Sequence, residues 1–427
     1  MNCWLITVGE PVPEVDPDNP RLLRTGALAQ RLTDRGHQVL WWTSAFDHYR
    51  KVHRSSADQG FAWAGGQVQM LHSVGYQRNV SLQRFKEHAG VAAKFATQAP
   101  TLPRPDVILV SMPTIELAHA AVQYGQAAGV PVLLDIRDLW PDLLIDVAPP
   151  RLRWLSRWLL RGMLAKARAA MSGADGLIGI SDGYLAWALA YAGRGRRAGD
   201  AMIPLGYIAP ESRQTGAQTD ARMQALGVDP ARAICWYVGS FGRQYDLAPV
   251  LKAAARMHAA GRGDVQFVIS GDGERGAQWR GMAKGLGNVV FTGWIGADDI
   301  NWLRAHAAIG LQPYVAGAPQ GLANKLFEYL SAGIPVVSSL AGENQALIAQ
   351  HDCGLTYHAG DADDCWRCLG VLLDDPARRR RMGDQGKALF DQHYDGRAVF
   401  ETLAEHLETV ARNPARTARE RPYDKFC

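Results

Sequence analysis

Short apolar runs alternate with amphipathic stretches along the first half of the chain. CWLITVG, HQVLWWTS, DVILVSMP and GADGLIGIS have the length and composition of buried strands. The stretches RLLRTGALAQRLTDRG and TIELAHAAVQYGQAAG have apolar residues at helical spacing and end in glycine. Strands that alternate with helices predict a parallel sheet with helices on both faces.

The same order of elements starts again in the second half, where AICWYVGS, VQFVISGDG, VVFTGW and AAIGLQPY have the character of strands. The sequence therefore predicts an α/β protein of two doubly wound, Rossmann-like domains that face a central cleft. The predicted boundaries are 1–205 for the first domain and 206–395 for the second, with a linker near 204–218. A closing helix is expected at 396–412, and a solvated basic tail at 413–427.

Composition narrows the class of protein. The 427 residues are 47% hydrophobic and 21% charged, with a net charge of +4, which is typical of a globular protein and suits an anionic ligand or a membrane surface. Long Lys/Arg runs and RNA-binding aromatic motifs are missing, so we expect no nucleic acid partner. The sequence shows neither a signal peptide nor an apolar run long enough to span a bilayer, which predicts a cytoplasmic protein.

Candidate metal ligands are few in the sequence. The six cysteines are scattered, and CWRC at 365–368 lies in a helix-like stretch without a second pair, so reduced thiols are favoured over a metal or redox site. The D-x-D matches at 16–18 and 361–363 have the character of loops or helix starts. We therefore expect no metal and no cofactor.

Loops at the carboxyl ends of strands are where open parallel sheets bind ligands. In the first domain, Asp138 follows a buried strand in LLDIRDLWPD and could accept a proton or a hydrogen bond from a substrate hydroxyl. Arg21 and Arg24, at the start of the helix that follows the first strand, are either contacts to an anionic substrate or solvated side chains. The candidate acceptor-binding residues of this domain are Gly9, Glu10, Arg21, Arg24 and Trp140.

The stretch RLRWLSRWLLRGMLAKARAAM, at 151–171, is amphipathic and combines tryptophan with arginine. That combination suits a membrane interface, whereas the alternative is a helix that packs on its own domain. Peripheral contact with a membrane through 151–171 is therefore a second expectation.

In the second domain, flexible glycines and one guanidinium follow a strand in YVGSFGRQYD, where Gly239 and Arg243 could meet a phosphate. Asp272 lies in the turn SGDGE and Trp294 in FTGW, so each is either a ligand contact or a structural residue. Trp294 could stack on a base.

The stretch QGLANKLFEYLSAGIPVVSS, at 320–339, predicts a short helix that Gly333 ends before a strand. An apolar stripe forms one face of the helix, and polar residues at spacings of three and four share another. Backbone N–H groups, an ammonium and a carboxylate together describe a clamp for a nucleoside diphosphate; the alternative is an ordinary surface Lys–Glu pair. The polar residues of the clamp are Gly321, Asn324, Lys325 and Glu328.

This segment resembles the donor-binding segment of GT-B-fold, family 4 retaining glycosyltransferases. PRLLRTGALAQRLTDRGHQVLWWTSAFDHYRKVHR and LLDIRDLWPD resemble a bacterial subgroup that builds capsule, O-antigen and related surface polysaccharides. The resemblance implies a GT-B fold with a first, acceptor-side domain, a second domain for the sugar donor, and a C-terminal helix that crosses back. It also implies that Glu328 holds the ribose of a UDP-sugar, whereas Gln320 stands where the family has the first of two glutamates.

The resemblance further implies a metal-independent, retaining hexosyltransferase. The sugar, with an N-acetylhexosamine as candidate, would pass to a lipid-linked or glycan acceptor in surface polysaccharide biosynthesis. The expected catalytic residues are Asp138, Lys325 and Arg243, of which the two cations stabilise the departing diphosphate. The enzyme would be cytoplasmic, on the inner face of the plasma membrane. A nucleotide-sugar 2-epimerase of the same fold and a catalytically silent nucleotide-sugar-binding subunit are alternatives.

Overall fold

In a computed structural model, the chain divides into two compact units. Unit 1 contains Met1–Leu205 and Arg397–Cys427, and unit 2 contains Gly206–Gly396. The structure describes residues 1–16, 22–64, 66–79, 81–146, 148–209, 216–318 and 321–413. Each unit is built around a sheet that is wholly or largely parallel, with helices between its strands, so the predicted α/β class is confirmed.

Unit 1 contains an eight-stranded sheet in the order β10-β9-β8-β7-β1-β2-β6-β5, and a small hairpin of β3 and β4. Its strands are β1 (Asn2–Ile6), β2 (Gln38–Ser44), β3 (Phe46–Asp47), β4 (Val52–His53), β5 (Gln59–Trp63), β6 (Gly66–Leu71), β7 (Val107–Met112), β8 (Val132–Ile136), β9 (Gly176–Gly179) and β10 (Ala201–Met202). Its helices up to the domain boundary are α1 (Arg24–Asp34), α2 (Leu82–Gln98), α3 (Ile115–Ala128), α4 (Asp142–Asp146), α5 (Arg153–Leu159), α6 (Arg161–Gly173) and α7 (Asp182–Ala192).

The order of strands in unit 1 reverses between β1 and β7. From β1 the chain builds outward through β2 and β6, and then returns to build the other half through β7, β8 and β9. Neighbouring strands are parallel except β5 and β6, so the carboxyl ends of β1, β7 and β8 lie at one edge. That edge therefore carries the loops that begin at residues 7, 113 and 137.

Unit 2 contains a six-stranded, fully parallel sheet in the order β13-β12-β11-β14-β15-β16. Its strands are β11 (Ala233–Val238), β12 (Val265–Ser270), β13 (Val289–Gly293), β14 (Ala307–Gln312), β15 (Val336–Ser338) and β16 (Gly354–Thr356). Its helices are α8 (Gly216–Ala225), α9 (Ala248–Ala259), α10 (Gly276–Met282), α11 (Ala297–His306), α12 (Asn324–Leu330), α13 (Glu343–Gln350), α14 (Ala362–Asp374) and α15 (Pro376–His393). Counted within the unit, the strand order is 3-2-1-4-5-6, the arrangement of a dinucleotide-binding domain.

The helix α16 (Gly396–Arg412) follows unit 2 in sequence, but from Arg397 onward it belongs to unit 1. Its apolar face is buried with residues of β1, β7, β8 and α1. The residues of that face are Val399, Leu403, Ala404, Leu407 and Val410. The helix expected at 396–412 therefore forms with an amphipathic pattern that unit 1 covers.

Part of the predicted linker at 204–218 has contacts within unit 2, and residues 210–215 lie outside the described residues. The N–H of Tyr207 donates to the carbonyl of Tyr394 at 3.0 Å, and the N–H of Gly396 donates to the carbonyl of Tyr207 at 3.0 Å. Helix α8 already begins at Gly216.

Helix α12 is shorter than its sequence pattern suggests, because Leu322 lies before its first residue. The other members of the apolar stripe, Leu326, Tyr329 and Leu330, are fully buried. Gly310 of β14 provides the space: a Cβ there would lie 2.4 Å from the Tyr329 ring. Close contact between strand and helix thus requires glycine at position 310.

We expect Gly310→Ala to lower the free energy of unfolding by about 1–3 kcal/mol, because the added methyl group must displace Tyr329 and helix α12. Urea denaturation monitored by circular dichroism measures this change. Gly263→Ala is the matched control, since a Cβ at that position meets nothing within 4 Å. Equal midpoints for Gly310→Ala and the wild type would contradict the prediction.

Candidate active site

The loops after β11 and β12 in unit 2 are held together by their backbones. The N–H of Gly239 donates to the carbonyl of Ser270 at 2.9 Å, and the N–H of Phe241 donates to the carbonyl of Asp272 at 2.9 Å. A Cβ on Gly271 would lie 1.9 Å from the carbonyl oxygen of Gly239. Gly239 and Gly271 have φ angles of +144° and +132°, so this close approach requires glycine at both positions.

Lys325 of α12 extends its side chain to this edge of the sheet. Its Nζ donates to the Tyr245 hydroxyl at 2.7 Å and lies 4.2 Å from the centre of the Tyr245 ring. A Cβ on Gly239 would lie 2.5 Å from the same ammonium. The structure therefore brings together two of the predicted site residues, Gly239 and Lys325, next to the point where the strand order reverses.

The Lys325 ammonium changes the pKa of Tyr245. Burial would raise the pKa of Tyr245, but the charge of Lys325 and the hydrogen bonds to the phenol lower it below its usual range. Tyr237, with its ring centre 5.5 Å from Nζ, gives the cation a second aromatic neighbour. The sequence pattern gives neither tyrosine a role, because Tyr237 within β11 and Tyr245 in the loop after it resemble ordinary buried core residues.

Glu328, one turn after Lys325, accepts a hydrogen bond from the Tyr207 hydroxyl at 3.2 Å. Arg304 of α11 donates to the same hydroxyl at 3.3 Å and to the Ser331 Oγ at 2.8 Å. The carboxylate that the sequence assigns to ribose is thereby oriented by side chains from α11 and from the segment after the domain boundary. Tyr207 lies in the predicted linker, which is why the sequence pattern gave it no role.

Tyr329 fixes α12 against the sheet. Its hydroxyl accepts from the N–H of Val238 at 3.3 Å and lies 3.1 Å from the carbonyl of Trp236 and 3.3 Å from that of Leu311. These bonds join the helix to both strands at the reversal point, β11 and β14. Lys325 and Glu328 are therefore presented by a helix whose position the strands determine.

The remaining predicted residues of unit 2 lie apart from Lys325 in their contacts. Arg243 is 82% exposed and forms an ion pair with Glu274 at 2.8 Å. Asp272 pairs with Arg280 at 3.2 Å, and Trp294 is 70% exposed after β13. Asn324 is the exposed first residue of α12, Gly321 precedes that helix, and Gln320 is outside the described residues. Their roles in catalysis or donor binding stay predictions.

In unit 1, four charged residues near the reversal point form one buried network. The Nε and Nη2 of Arg24 donate to the Asp135 carboxylate at 2.9 and 3.1 Å. Arg137 donates to Asp135 at 2.6 Å and also pairs with Glu10. The two guanidinium charges outweigh the effect of burial, which alone would raise the pKa of Asp135, and lower that pKa below its usual range.

The network gives Glu10 and Arg24 structural contacts. Arg24 also donates to the carbonyl of Ile203 at 3.1 Å and to that of Pro204, which ties α1 to the end of the first domain segment. Glu10 accepts from the N–H of Thr25 at 3.0 and 3.1 Å. Both side chains are more than 90% buried, and these bonds explain their positions without a ligand. Contact of either residue with an acceptor stays a prediction. Arg21 lies outside the described residues.

Asp138 and Trp140, after β8, lie beside a basic side chain. Arg84 lies over the Trp140 ring at 4.5 Å, and Trp140 itself is buried. Burial raises the pKa of Asp138, although the Leu139 N–H and the charge of Arg84 oppose the shift. A carboxyl group with a raised pKa is a reasonable proton acceptor near neutral pH, as the sequence position suggests.

Two histidines line the same part of unit 1. A Cβ on Gly9 would lie 3.6 Å from the Cβ of His48, which places the loop after β1 next to that residue. Burial and the charges of Lys51 and Arg84 lower the pKa of His48 to about 4, and burial lowers that of His88 to about 3. Both shifts favour the neutral ring at pH 7; His48 forms a hydrogen bond with the Tyr76 hydroxyl, and His88 lies against the Trp140 ring.

The D-x-D matches and the CWRC motif, which are the candidate metal or redox motifs of the sequence, have contacts within the fold. Asp361 caps α14 by accepting from the N–H groups of Asp363 and Asp364, and Asp16 pairs with Arg54 at 2.6 Å. Within the described ranges, no three His, Cys, Asp or Glu side chains come together as a metal site, and metal independence stays a prediction. The thiols of CWRC are buried within α14.

Comparison with known protein families identifies both domains. Residues 23–206 match the Glycosyl transferase 4-like domain, and residues 232–375 match Glycosyl transferases group 1. Both domains of this chain are glycosyltransferase domains. The crystal structure of Anabaena Alr3699/HepE in complex with UDP has a similar fold, with a TM-score of 0.64, 16% identity, and coverage of 96% of this chain and 99% of that chain. The predicted GT-B fold is confirmed.

Two relatives match about two fifths of this glycosyltransferase chain. The GDP-mannose-dependent monoacylated alpha-(1-6)-phosphatidylinositol monomannoside mannosyltransferase of Corynebacterium glutamicum is 29% identical over 172 residues, which are 39% of this chain and 44% of that protein. The lipopolysaccharide core biosynthesis glycosyltransferase LpsE of Rhizobium meliloti is 24% identical over 180 residues, 42% of this chain and 49% of that protein. The match thus spans less than half the length of each relative.

We expect Asp138→Asn to raise the melting temperature at pH 7 by roughly 2 °C or more, because asparagine keeps the bond from the Leu139 N–H and removes a charge that burial disfavours. The folded-state pKa lies above the ordinary value, so protonated Asp138 stabilises the fold fully below about pH 4 and that stability is lost as pH rises through the folded pKa.

Differential scanning calorimetry at pH 4 and pH 7 tests this dependence. The difference between variant and wild type should be small at pH 4 and appear at pH 7. Asp384→Asn, on the exposed face of α15, is the control and should change neither value. A variant that is less stable than the wild type at pH 7 would show that the carboxylate is favoured in the fold.

Proposed function

We propose that this chain is a retaining glycosyltransferase that moves a sugar from a UDP-sugar to a lipid-linked or glycan acceptor in bacterial surface polysaccharide biosynthesis. The observation that carries the proposal is the ammonium of Lys325, held 2.7 Å from Tyr245 at the strand reversal of a glycosyltransferase domain. The names of the relatives support this class of acceptor, since one acts on a phosphatidylinositol mannoside and one in lipopolysaccharide core synthesis.

The proposed chemistry is mainly electrostatic. Cleavage of the bond between sugar and phosphate places negative charge on the departing diphosphate, and Lys325 stabilises that charge in the transition state. Arg243 contributes a second cation if it leaves Glu274, and Glu328 accepts hydrogen bonds from the ribose hydroxyls. Asp138 receives the hydrogen bond or proton of the acceptor hydroxyl. These positive charges come from side chains, so the proposal includes no metal and no cofactor.

One similar structure supports a uridine nucleotide as donor, whereas the name of one relative points to a guanosine nucleotide. The HepE structure contains UDP, whereas the Corynebacterium relative is named for GDP-mannose. The epimerase and silent-subunit alternatives are not favoured, because both domain families are those of transferases. Retention of configuration is what the resemblance of 320–339 to its family implies, and an N-acetylhexosamine is the candidate for the transferred sugar.

The nucleotide clamp predicts a pattern of affinities. UDP should raise the melting temperature more than GDP at equal concentration, and Lys325→Gln should weaken UDP binding about tenfold or more because a charged contact to phosphate is lost. Glu328→Gln should instead reduce the preference for UDP over 2′-deoxy-UDP, since a carboxylate accepts ribose hydrogen bonds more strongly than an amide. Thermal shift and isothermal titration calorimetry measure these values.

Lys252→Gln is the matched control for this set, because Lys252 is an exposed lysine on α9 of the same unit. It should bind UDP as the wild type does. Undiminished affinity in a Lys325→Gln, Glu328→Gln double variant would disprove the clamp. Stronger stabilisation by GDP would keep the transferase and change the donor. Conversion of the UDP-sugar itself, with no acceptor present, would favour the epimerase.

We also propose that 151–171 docks on an anionic membrane surface. Within α5, Trp154, Trp158 and Leu159 are 68%, 56% and 66% exposed, and none of the helix residues is buried. Arg157 and Arg161 are exposed beside them, and the Arg161 guanidinium lies 5.1 Å above the Trp158 ring. Exposed tryptophan with arginine suits the headgroup region of anionic lipid. Among the described residues, no helix is long and apolar enough to cross a bilayer.

Vesicle co-sedimentation tests the membrane surface. We expect binding to vesicles that contain phosphatidylglycerol, weaker binding at high salt, and about tenfold less binding for Trp154→Ala, Trp158→Ala because two aromatic anchors are removed. Trp366→Ala, which removes a 45% exposed tryptophan of α14, is the control and should bind as the wild type. Wild-type protein that stays in the supernatant at low salt, or a dimer that the double variant abolishes, would assign the surface another role.

A further inference from the structure

Two cations converge on one buried tyrosine in unit 1. Tyr76 is 4% exposed, the Lys51 ammonium lies 4.6 Å from its ring centre, and the Arg84 guanidinium lies 5.6 Å from the same centre. Asn79 joins the two cations, because its Oδ1 accepts from Lys51 at 2.5 Å and its carbonyl accepts from Arg84 at 2.8 Å. Lys51 and Arg84 are therefore held near each other by a shared set of partners.

The charges of this pair are not balanced by carboxylates in contact with them. In the part of the chain that the structure describes, no Asp or Glu oxygen forms an ion pair with Lys51 or Arg84. The nearby Asp47 carboxylate accepts from the N–H groups of Tyr49 and Arg50 and lies 3.7 Å from Arg54. Burial lowers the pKa of both cations, and the charge of Arg84 lowers that of Lys51 further, although the charge of Asp47 raises the pKa of Lys51 and that of Asp138 raises the pKa of Arg84.

The backbone holds Lys51 in place at an energetic disadvantage. Lys51 has a φ of +61°, in the left-handed region, at the turn between β3 and β4. Its N–H donates to the carbonyl of Asp47 at 2.9 Å, which fixes that turn. A lysine in this conformation costs about 1 kcal/mol, and such strain concentrates at binding sites. Arg84 lies in the first turn of the 17-residue helix α2, whose amino end adds positive potential.

Four exposed apolar side chains lie close in sequence to the two cations or to Tyr76. Tyr49 and Val52 come from the same turn as Lys51 and are 63% and 52% exposed. Val74, two residues before Tyr76, is 63% exposed, and Leu82, two residues before Arg84, is 78% exposed. Each of these four residues lies within two positions of Lys51, Arg84 or Tyr76, and exposed apolar residues near a cationic pair suit a ligand with a charged head and an apolar chain.

We propose that Lys51 and Arg84 bind the phosphate of the acceptor, as a phosphate or diphosphate group that is carried on an apolar chain. This inference rests on the proposed transferase function, for which it names the acceptor class. The phosphate replaces the missing counter-charge between the two cations. The apolar chain leaves the site over Tyr49, Val74 and Leu82, and the reacting part of the acceptor extends toward the loop of Gly9 through His48, whose Nδ1 lies 2.5 Å from the Tyr76 hydroxyl.

Calorimetric titration with three probes measures separately how the charged head and the apolar chain contribute to binding. Farnesyl diphosphate should bind at least about tenfold more tightly than inorganic pyrophosphate, which lacks the chain, and than farnesol, which lacks the charge. Lys51→Gln and Arg84→Gln should each weaken farnesyl diphosphate binding about tenfold. Lys86→Gln, an exposed neighbour on α2, should leave it unchanged. Lys51→Arg should restore most of the affinity if charge is the cause.

Each titration is run without UDP and with saturating UDP, which occupies the site of Lys325. Binding that UDP leaves unchanged supports a separate site in unit 1, whereas displacement by UDP would overturn the proposal. Equal affinity for farnesol, or full affinity in folded Lys51→Gln and Arg84→Gln proteins, would also overturn it. If UDP does not bind while farnesyl diphosphate does, the donor assignment fails and the phosphate site stands.

Discussion

The hydrogen bond between Lys325 and Tyr245 is the interaction on which the candidate site depends. It places one positive charge at the carboxyl edge of the unit 2 sheet, where glycines at 239 and 271 let two loops approach closely. The ammonium is screened from water on the side of the two tyrosine rings, and an electrostatic contact gains strength when water is excluded. The two tyrosine rings therefore cover part of the ammonium, and the proposed diphosphate would approach it from another side.

The position of that charge is determined by residues that carry no charge. Tyr329 lies against Gly310 and bonds to the backbone of β11 and β14, so α12 cannot shift without disturbing the centre of the sheet. Glu328 takes its orientation from Tyr207, which in turn contacts Arg304. A helix of seven residues, such as α12, has little stability of its own. Here the sheet provides it, which keeps the ammonium and the carboxylate at a constant separation.

Local patterns predict most strands and the short helix correctly, because burial on both faces leaves continuous apolar runs. They fail where a residue's role depends on a distant partner. Arg24 resembles a surface arginine at a helix start, yet it bonds to Asp135, 111 residues away. Tyr207 lies among turn residues, yet its hydroxyl contacts Glu328, 121 residues away. The sequence pattern does not predict the hairpin of β3 and β4, because each strand has two residues and β4 is exposed.

The two units differ in how they compensate a cation beside tyrosine. In unit 2 Lys325 donates a hydrogen bond to Tyr245, and its charge lowers the pKa of that phenol although burial opposes the shift, so this cation already has a polar partner. In unit 1 burial raises the pKa of Tyr76 despite Arg84, so this phenol stays neutral and offers the cations only its ring and dipole. Two positive charges that repel each other next to a neutral ring gain more from an anion than one cation already bonded to a phenol. The proposed phosphate site of unit 1 and the proposed nucleotide site of unit 2 therefore differ in the partners that their cations already have, and a phosphorylated acceptor would fit the cationic pair of unit 1 better than a neutral glycan would.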